Sequence, residues 1–146
     1  MPLSHDAQEV LQTLLSLEEE DSVPAAAEAV LARAKASAES LDEATREGLV
    51  LKSDVGYTLS DSGREKAVVL ARRHRLAERL LHDVLAVADE VTETTACEFE
   101  HFLDAEVVES ICTLLGHPRE CPHGKPIPPG SCCGRKLRDV GPVVEQ

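Results

Sequence analysis

The apolar positions divide the chain into helical stripes and one short alternating stretch. From Ser4 onward, Val10, Leu14 and Leu17 recur at i, i+4 and i+7, with Leu11 and Leu15 beside them. A helix turns once every 3.6 residues, so this spacing puts them on one face and predicts a first helix from a Ser4 cap to about Glu20. The stretch DSVP at 21–24 breaks the pattern, with Pro24 placed to open a second, Ala-rich helix over 25–34. A third helix is expected over 37–47, closed by Gly48. Short apolar runs at 49–52 and 57–59 flank a polar, Gly-containing turn and predict a β-hairpin. A long helix then starts at Ser60 and runs to near Val87, with Leu76, Leu80 and Val84 in one apolar row. Residues 92–103, TETTACEFEHFL, read as a further helix with Thr92 as its N-cap. Asp104 caps a last helix over 105–115, stopped by Gly116 and Pro118. From His117 the sequence HPRECPHGKPIPPGSCCGRK is too irregular for either element.

Three helices followed by a hairpin is the layout of a winged helix-turn-helix, a DNA-binding module. The expected fold is therefore mainly α: an N-terminal winged helix-turn-helix with a small β-hairpin wing, then an α-helical domain. Composition supports helices. Hydrophobic residues make up 42%, Trp is absent, and one Tyr and two Phe are the only aromatics, so Leu, Val and Ala must build the core. No apolar run is long enough to span a bilayer, and no membrane partner is expected. The N-terminal MPLSHDAQEV has neither a basic nor an apolar leader region. The five cysteines then read as reduced thiols or metal ligands, and the expected location is cytoplasmic. Net charge is −12; residues 1–63 hold four basic and thirteen acidic residues, so the N-terminal part is the acidic one.

The candidate chemistry centres on residues 92–103. Cys97, Glu100 and His101 fall at i, i+3 and i+4, on one helical face. A thiol, a carboxylate and an imidazole pointing the same way make a partial transition-metal site that needs further ligands from elsewhere. His74, Glu78 and His82 form a second row at i, i+4 and i+8. A His and a Glu one turn apart bind a metal, or form a surface ion pair of a few tenths of a kcal/mol, and the pattern leaves both open. Glu9, near the start of the first helix, has an ordinary role as a favourable charge on the helix dipole. No nucleophile–base pair or cofactor motif stands out, so an enzyme is not expected.

The stretch RRHRLAERLL, the Cys-x-x-Glu-His helix and CPHGKPIPPG together resemble the metal-dependent repressors of the diphtheria toxin repressor and manganese transport regulator family (DtxR/MntR). The resemblance covers roughly residues 4–130 and is strongest over 59–130. It implies a DNA-binding-like domain over 1–66, a metal-binding and dimerisation domain over 67–124, and a Pro/Gly/Cys-rich tail over 125–146. It implies a primary metal site of Glu9, Cys97, Glu100 and His101, and a second site of His74, Glu78 and Glu93; His82 matches no ligand. The implied cofactor is Fe²⁺ or Mn²⁺, with other divalent transition metals able to bind. The implied function is a homodimeric, metal-dependent transcriptional regulator, a repressor of metal-uptake genes, in which the metal orients two winged helices on operator DNA.

Two stretches depart from the family. The recognition helix should lie near SAESLDEATRE at 37–47, where Glu39, Asp42, Glu43 and Glu47 outnumber Arg46. DNA affinity comes from Lys and Arg against phosphate, so an acidic helix opposes it. Ser37, Ser40, Lys35, Arg46 and Lys52 are the candidate DNA contacts. The alternative is a metal-binding dimer on the same scaffold that has lost DNA binding and acts through a protein partner. The tail is the second departure. Its Cys132-Cys133 pair, with Cys121 upstream and His117 and His123 nearby, reads either as a flexible reduced tail or as an extra thiolate site of Cys121, Cys132 and Cys133.

Overall fold

The computed structural model describes residues 3–133, apart from the side chains of Glu93 and His101; residues 134–146 lie outside the described residues. The chain is mainly helical with one antiparallel hairpin, and it forms two compact units, one up to Ala71 and one from Arg72.

The first unit follows the sequence pattern closely. Helix α1 spans His5–Glu19, and the Ser4 hydroxyl accepts a hydrogen bond from the Ala7 N–H at 3.1 Å, satisfying one of the unpaired donors of the first turn. The Ser4 backbone N–H and hydroxyl both donate to the Glu43 carboxylate, at 2.9 and 2.7 Å. These bonds, the backbone one first, hold the Glu43 carboxyl below its ordinary range. Helix α2 covers Ala27–Ala34, two residues later than Pro24 suggested. Ala25 is extended instead and exchanges backbone hydrogen bonds with Tyr57, its N–H donating at 3.1 Å and its carbonyl accepting at 2.8 Å. Helix α3 is Ala38–Arg46. Strands β1 (Val50–Ser53) and β2 (Gly56–Leu59) pair antiparallel, Val50 opposite Leu59 and Ser53 opposite Gly56.

Val10, Leu11 and Leu14 of α1 have no exposed surface and pack with Val30, Leu41, Val50 and Leu59. Burying each of the larger side chains stabilises the unit by about 1.5–3 kcal/mol. Helix α4 (Asp61–Arg79) runs through the boundary; Ala67, Leu70 and Ala71 belong to this first core. Its start is set by a close approach. A Cβ on Gly63 would lie 1.9 Å from the Leu49 carbonyl oxygen, so only glycine fits. Gly63→Ala is expected to cost at least about 1–3 kcal/mol, as overpacking does, because both crowded groups are tied to backbone. A urea melt checks this; an unchanged midpoint would mean the backbone yields.

The second unit departs more from the expected elements. The long helix ends at Arg79 rather than near Val87, passing into a π-helical turn over Leu80–Val84. Helix α5 is Asp89–Phe99 and starts before Thr92. Thr92 is not its N-cap: it is buried, and its hydroxyl donates back to the Ala88 carbonyl at 2.9 Å, the i−4 bond available to a threonine inside a helix. The expected helix over 92–103 also ends early, since Glu100–Phe102 tightens to a 3₁₀ turn. Helix α6 is Ala105–Leu114, with the Asp104 carboxylate accepting from the Val107 N–H at 2.9 Å, as the sequence suggests. Leu76, Ala77, Leu81, Ala96, Leu103, Val108 and Ile111 form this unit's core.

The segment after α6 is not loose up to Cys133. Ile127 is buried in the second core. Arg72 donates through Nε to the Pro128 carbonyl at 2.9 Å, and Arg75 through Nη1 to the Pro126 carbonyl at 2.6 Å. Prolines cannot supply N–H groups to a ladder. Two buried guanidiniums of α4 therefore satisfy carbonyls that no strand pairs.

Candidate metal centre

Three elements of the second unit converge. His74 and Glu78 lie one turn apart in the second half of α4, both buried, Glu78 at 2% exposure. Cys97 is in the last turn of α5, and Glu100 opens the 3₁₀ turn behind it, fully buried. The His74 Nδ1 and the Glu100 carboxylate are paired, and Cys97 Sγ lies 3.9 Å from the same nitrogen. One ligand atom from each of His74, Cys97 and Glu100 falls within 4.8 Å of the others. Burying an ionised carboxylate is costly unless a cation or donor compensates it. A nitrogen, a sulfur and a carboxylate oxygen grouped at this depth fit a divalent transition metal.

A second group adjoins the first. Glu78 Oε2 lies 3.4 Å from His74 Nε2 and also 3.4 Å from His123 Nδ1. Glu78, Cys121 and His123 again bring ligand atoms within 4.8 Å. The CPHGK turn shapes this side: the Gly124 N–H donates to the Cys121 carbonyl, and the Lys125 N–H to Cys121 Sγ at 3.4 Å. A continuous run of donors thus extends from Cys97 and Glu100 through His74 and Glu78 to His123 and Cys121.

The residues expected from the sequence lie side by side in this unit, with two additions. His74 keeps its expected neighbour Glu78 through Nε2, and its Nδ1 also reaches Cys97 and Glu100 of the other expected set, so the two sets adjoin at this residue. Glu78 gains Cys121 and His123, which the sequence pattern associates with the Cys132-Cys133 pair instead. The reason is geometric: successive turns of α4 face different neighbours, and the turn at 121–125 folds back onto the second of them. Cys121 consequently does not group with Cys132 and Cys133. The side chains of His101 and Glu93 lie outside the described residues. Glu9 sits half-buried on α1, in the first unit. His82 pairs with Asp83 at 2.9 Å and Asp89 at 3.4 Å, in keeping with a surface role.

The candidate DNA contacts also divide. Ser37, Lys35, Arg46 and Lys52 are exposed, with Lys52 Nζ 6.0 Å from the Tyr57 ring centroid. Ser40 is only 3% exposed and donates to the Ser37 carbonyl at 2.6 Å, so it faces inward and is corrected from that set. Among the acids of α3 and its C-cap, Glu39, Asp42 and Glu47 are exposed, whereas Glu43 is engaged at the start of α1.

Residues 60–129 match the family described as iron dependent repressor, metal binding and dimerisation domain. The chain is 34% identical over 122 residues to the iron-dependent repressor IdeR of Mycobacterium tuberculosis, covering 81% of this chain and 53% of that protein. It is 33% identical over 123 residues to the diphtheria toxin repressor of Corynebacterium diphtheriae, covering 81% and 54%. The chain spans about half the length of the curated relatives it matches. Among solved structures, a manganese-dependent transcriptional repressor in complex with manganese superposes with a TM-score of 0.77 at 30% identity, covering 86% of this chain and 59% of that one. The manganese regulator SloR gives 0.76 at 28%, covering 88% and 61%. By this domain, these relatives and this shared fold, the chain belongs to the diphtheria toxin repressor and manganese transport regulator family of metal-dependent repressors.

Proposed function

We propose that this protein is a metal-dependent transcriptional regulator, a repressor of metal-uptake genes, whose corepressor is a divalent transition metal held at His74, Cys97 and Glu100 with Glu78 beside them. The buried His74–Cys97–Glu100 group carries this reading, because nothing in the core packing calls for three such donors together. Its relatives are named as repressors, not enzymes, which supports a regulatory rather than catalytic role. The Cys97 thiol favours Fe²⁺ over Mn²⁺, since a soft donor suits the softer ion. When bound, the metal supplies bonds between side chains carried by α4, α5 and the turn that follows α5. The protein's own residues do the rest: Glu100 and Glu78 provide charge, and His74 and Cys97 provide nitrogen and sulfur.

In this reading, residues 1–66 form the winged helix-turn-helix, 67–124 the metal-binding and dimerisation domain, and 125–146 the tail. Ser37, Lys35, Arg46 and Lys52 face operator DNA. A homodimer is supported by the exposed apolar residues of the second unit, Val84, Leu85, Val91, Phe102 and Leu114, which a single copy leaves in water. His101, Glu93 and Glu9 remain ligands by family likeness. Glu9→Gln tests the last of these: weakened metal binding with the fold intact brings it into the set. Among the described residues, no helix is long and apolar enough to cross a membrane.

Anaerobic titration with Fe²⁺ and Mn²⁺, followed by fluorescence anisotropy on DNA from upstream of its own gene, tests the proposal. DNA binding that appears only with metal, and weakens steeply with salt, is the expected result. A second reading, a metal-binding dimer acting through a protein partner, is favoured by exposed Glu39, Asp42 and Glu47 on α3 and its C-cap. Tight metal binding with no DNA binding at low salt would select it.

A further inference from the structure

The second unit holds another cluster that the sensing role does not use. Cys112 lies in the last turn of α6, and the chain then turns sharply so that the His117 N–H donates to the Cys112 carbonyl at 2.8 Å. This brings His117 Nδ1 to 3.3 Å from Cys112 Sγ. From the far end of the irregular segment, Ser131–Cys133 forms a 3₁₀ turn that delivers both adjacent cysteines to the same place. Cys133 Sγ is 3.8 Å from Cys112 Sγ, and all four ligand atoms of Cys112, His117, Cys132 and Cys133 lie within 4.8 Å of one another.

We propose that Cys112, His117, Cys132 and Cys133 form a tetrahedral Cys₃His site for Zn²⁺, separate from the sensing residues. Zn–S bonds of about 2.3 Å and Zn–N bonds of about 2.0 Å at tetrahedral angles put two sulfurs about 3.8 Å apart and a sulfur and nitrogen about 3.5 Å apart. The observed 3.8 and 3.3 Å agree. A cubane iron–sulfur cluster binds its ligands on separate irons and spreads them wider than this group. Charge also fits. Three thiolates and Zn²⁺ leave one net negative charge, and Arg72 donates through Nη2 to Cys132 Sγ at 3.1 Å. Gly130 makes room for that guanidinium, since a Cβ there would lie 2.5 Å from its central carbon. The site ties the end of α6 to residue 133 and so closes the segment that carries Cys121 and His123. No Cys-x-x-Cys spacing announces it, because the four ligands come from two turns brought together by packing.

The proposal stands independently of metal-regulated DNA binding. Its test is Co²⁺ titration of the reduced full chain under anaerobic conditions, read by absorption. The expected spectrum has the strong visible bands of tetrahedral cobalt and sulfur-to-metal charge transfer. Cys132→Ser should weaken and shift the intense tetrahedral visible bands, whereas Cys97→Ser, which removes a thiolate only from the sensing group, lowers the charge-transfer absorption and leaves those tetrahedral bands in place. Tetrahedral bands unchanged in Cys132→Ser, or abolished by Cys97→Ser, overturn the proposal. Should the cysteine variants fail to fold, X-ray absorption at the zinc edge on wild-type protein with one equivalent of Zn²⁺ decides. A shell of three sulfurs and one nitrogen supports the site; an oxygen and nitrogen shell overturns it.

Discussion

Replacing Glu100 by Gln is expected to lower the affinity for Fe²⁺ and Mn²⁺ by about 100-fold or more while the protein stays folded. Loss of a partner that merely orients a ligand costs 10–100-fold, and removal of a charged ligand should exceed that. Glu100 is fully buried and faces His74, so no water or surface residue can replace its charge. The Gln side chain keeps the shape and a hydrogen-bonding oxygen, which protects the packing around it. A 100-fold loss corresponds to about 2.7 kcal/mol of binding free energy. Anaerobic calorimetry measures it, with circular dichroism to confirm the fold. Under the proposed repressor function, metal-dependent DNA binding should disappear in the same variant. Unchanged affinity would remove Glu100, and with it the buried group, from the metal site.

Leu76→Ala probes the scaffold rather than the ligands. Leu76 sits between His74 and Glu78 on α4 with no exposed surface. Removing it leaves a cavity in the core that also holds Leu81, Ala96 and Ile111. Such truncations cost about 2–5 kcal/mol. For a unit of this size the unfolding midpoint should fall by about 10 °C or more. The ligands themselves are untouched, so metal at about 100 times its Kd should restore about 2.7 kcal/mol by binding only the folded form. Thermal melts with and without Mn²⁺ test this, with Glu100→Gln as the comparison that metal should not rescue. If metal fails to raise the midpoint of Leu76→Ala, the folded second unit is not what binds it.

The two predictions separate functions that share one helix. Alternate positions of α4 serve different purposes: Leu76 and Ala77 pack, while His74 and Glu78 present donors. Arg72 and Arg75, on the same helix, hold the proline-rich segment by its carbonyls. A single helix thus positions two candidate ligands, part of the core and the segment carrying Cys121 and His123.

What the sequence determined by itself was whatever depends on neighbours within about two turns. The α1 stripe, the Ser4 and Asp104 caps, the hairpin and the His74/Glu78 and Cys97/Glu100 spacings all arise from local periodicity and local hydrogen bonding. Tertiary structure decided the rest. Where α4 loosens into a π-helical turn, and why Thr92 lies inside α5 instead of capping it, depend on packing that no short window contains. The orientation of Ser40 is likewise a matter of which face of α3 meets the core. The partners of the cysteines were the least legible. Cys97 meets His74 across 23 positions, and Cys112 meets Cys133 across 21. At such separations residue type says that a thiol can bind a metal; only the path of the chain decides which other donors reach it.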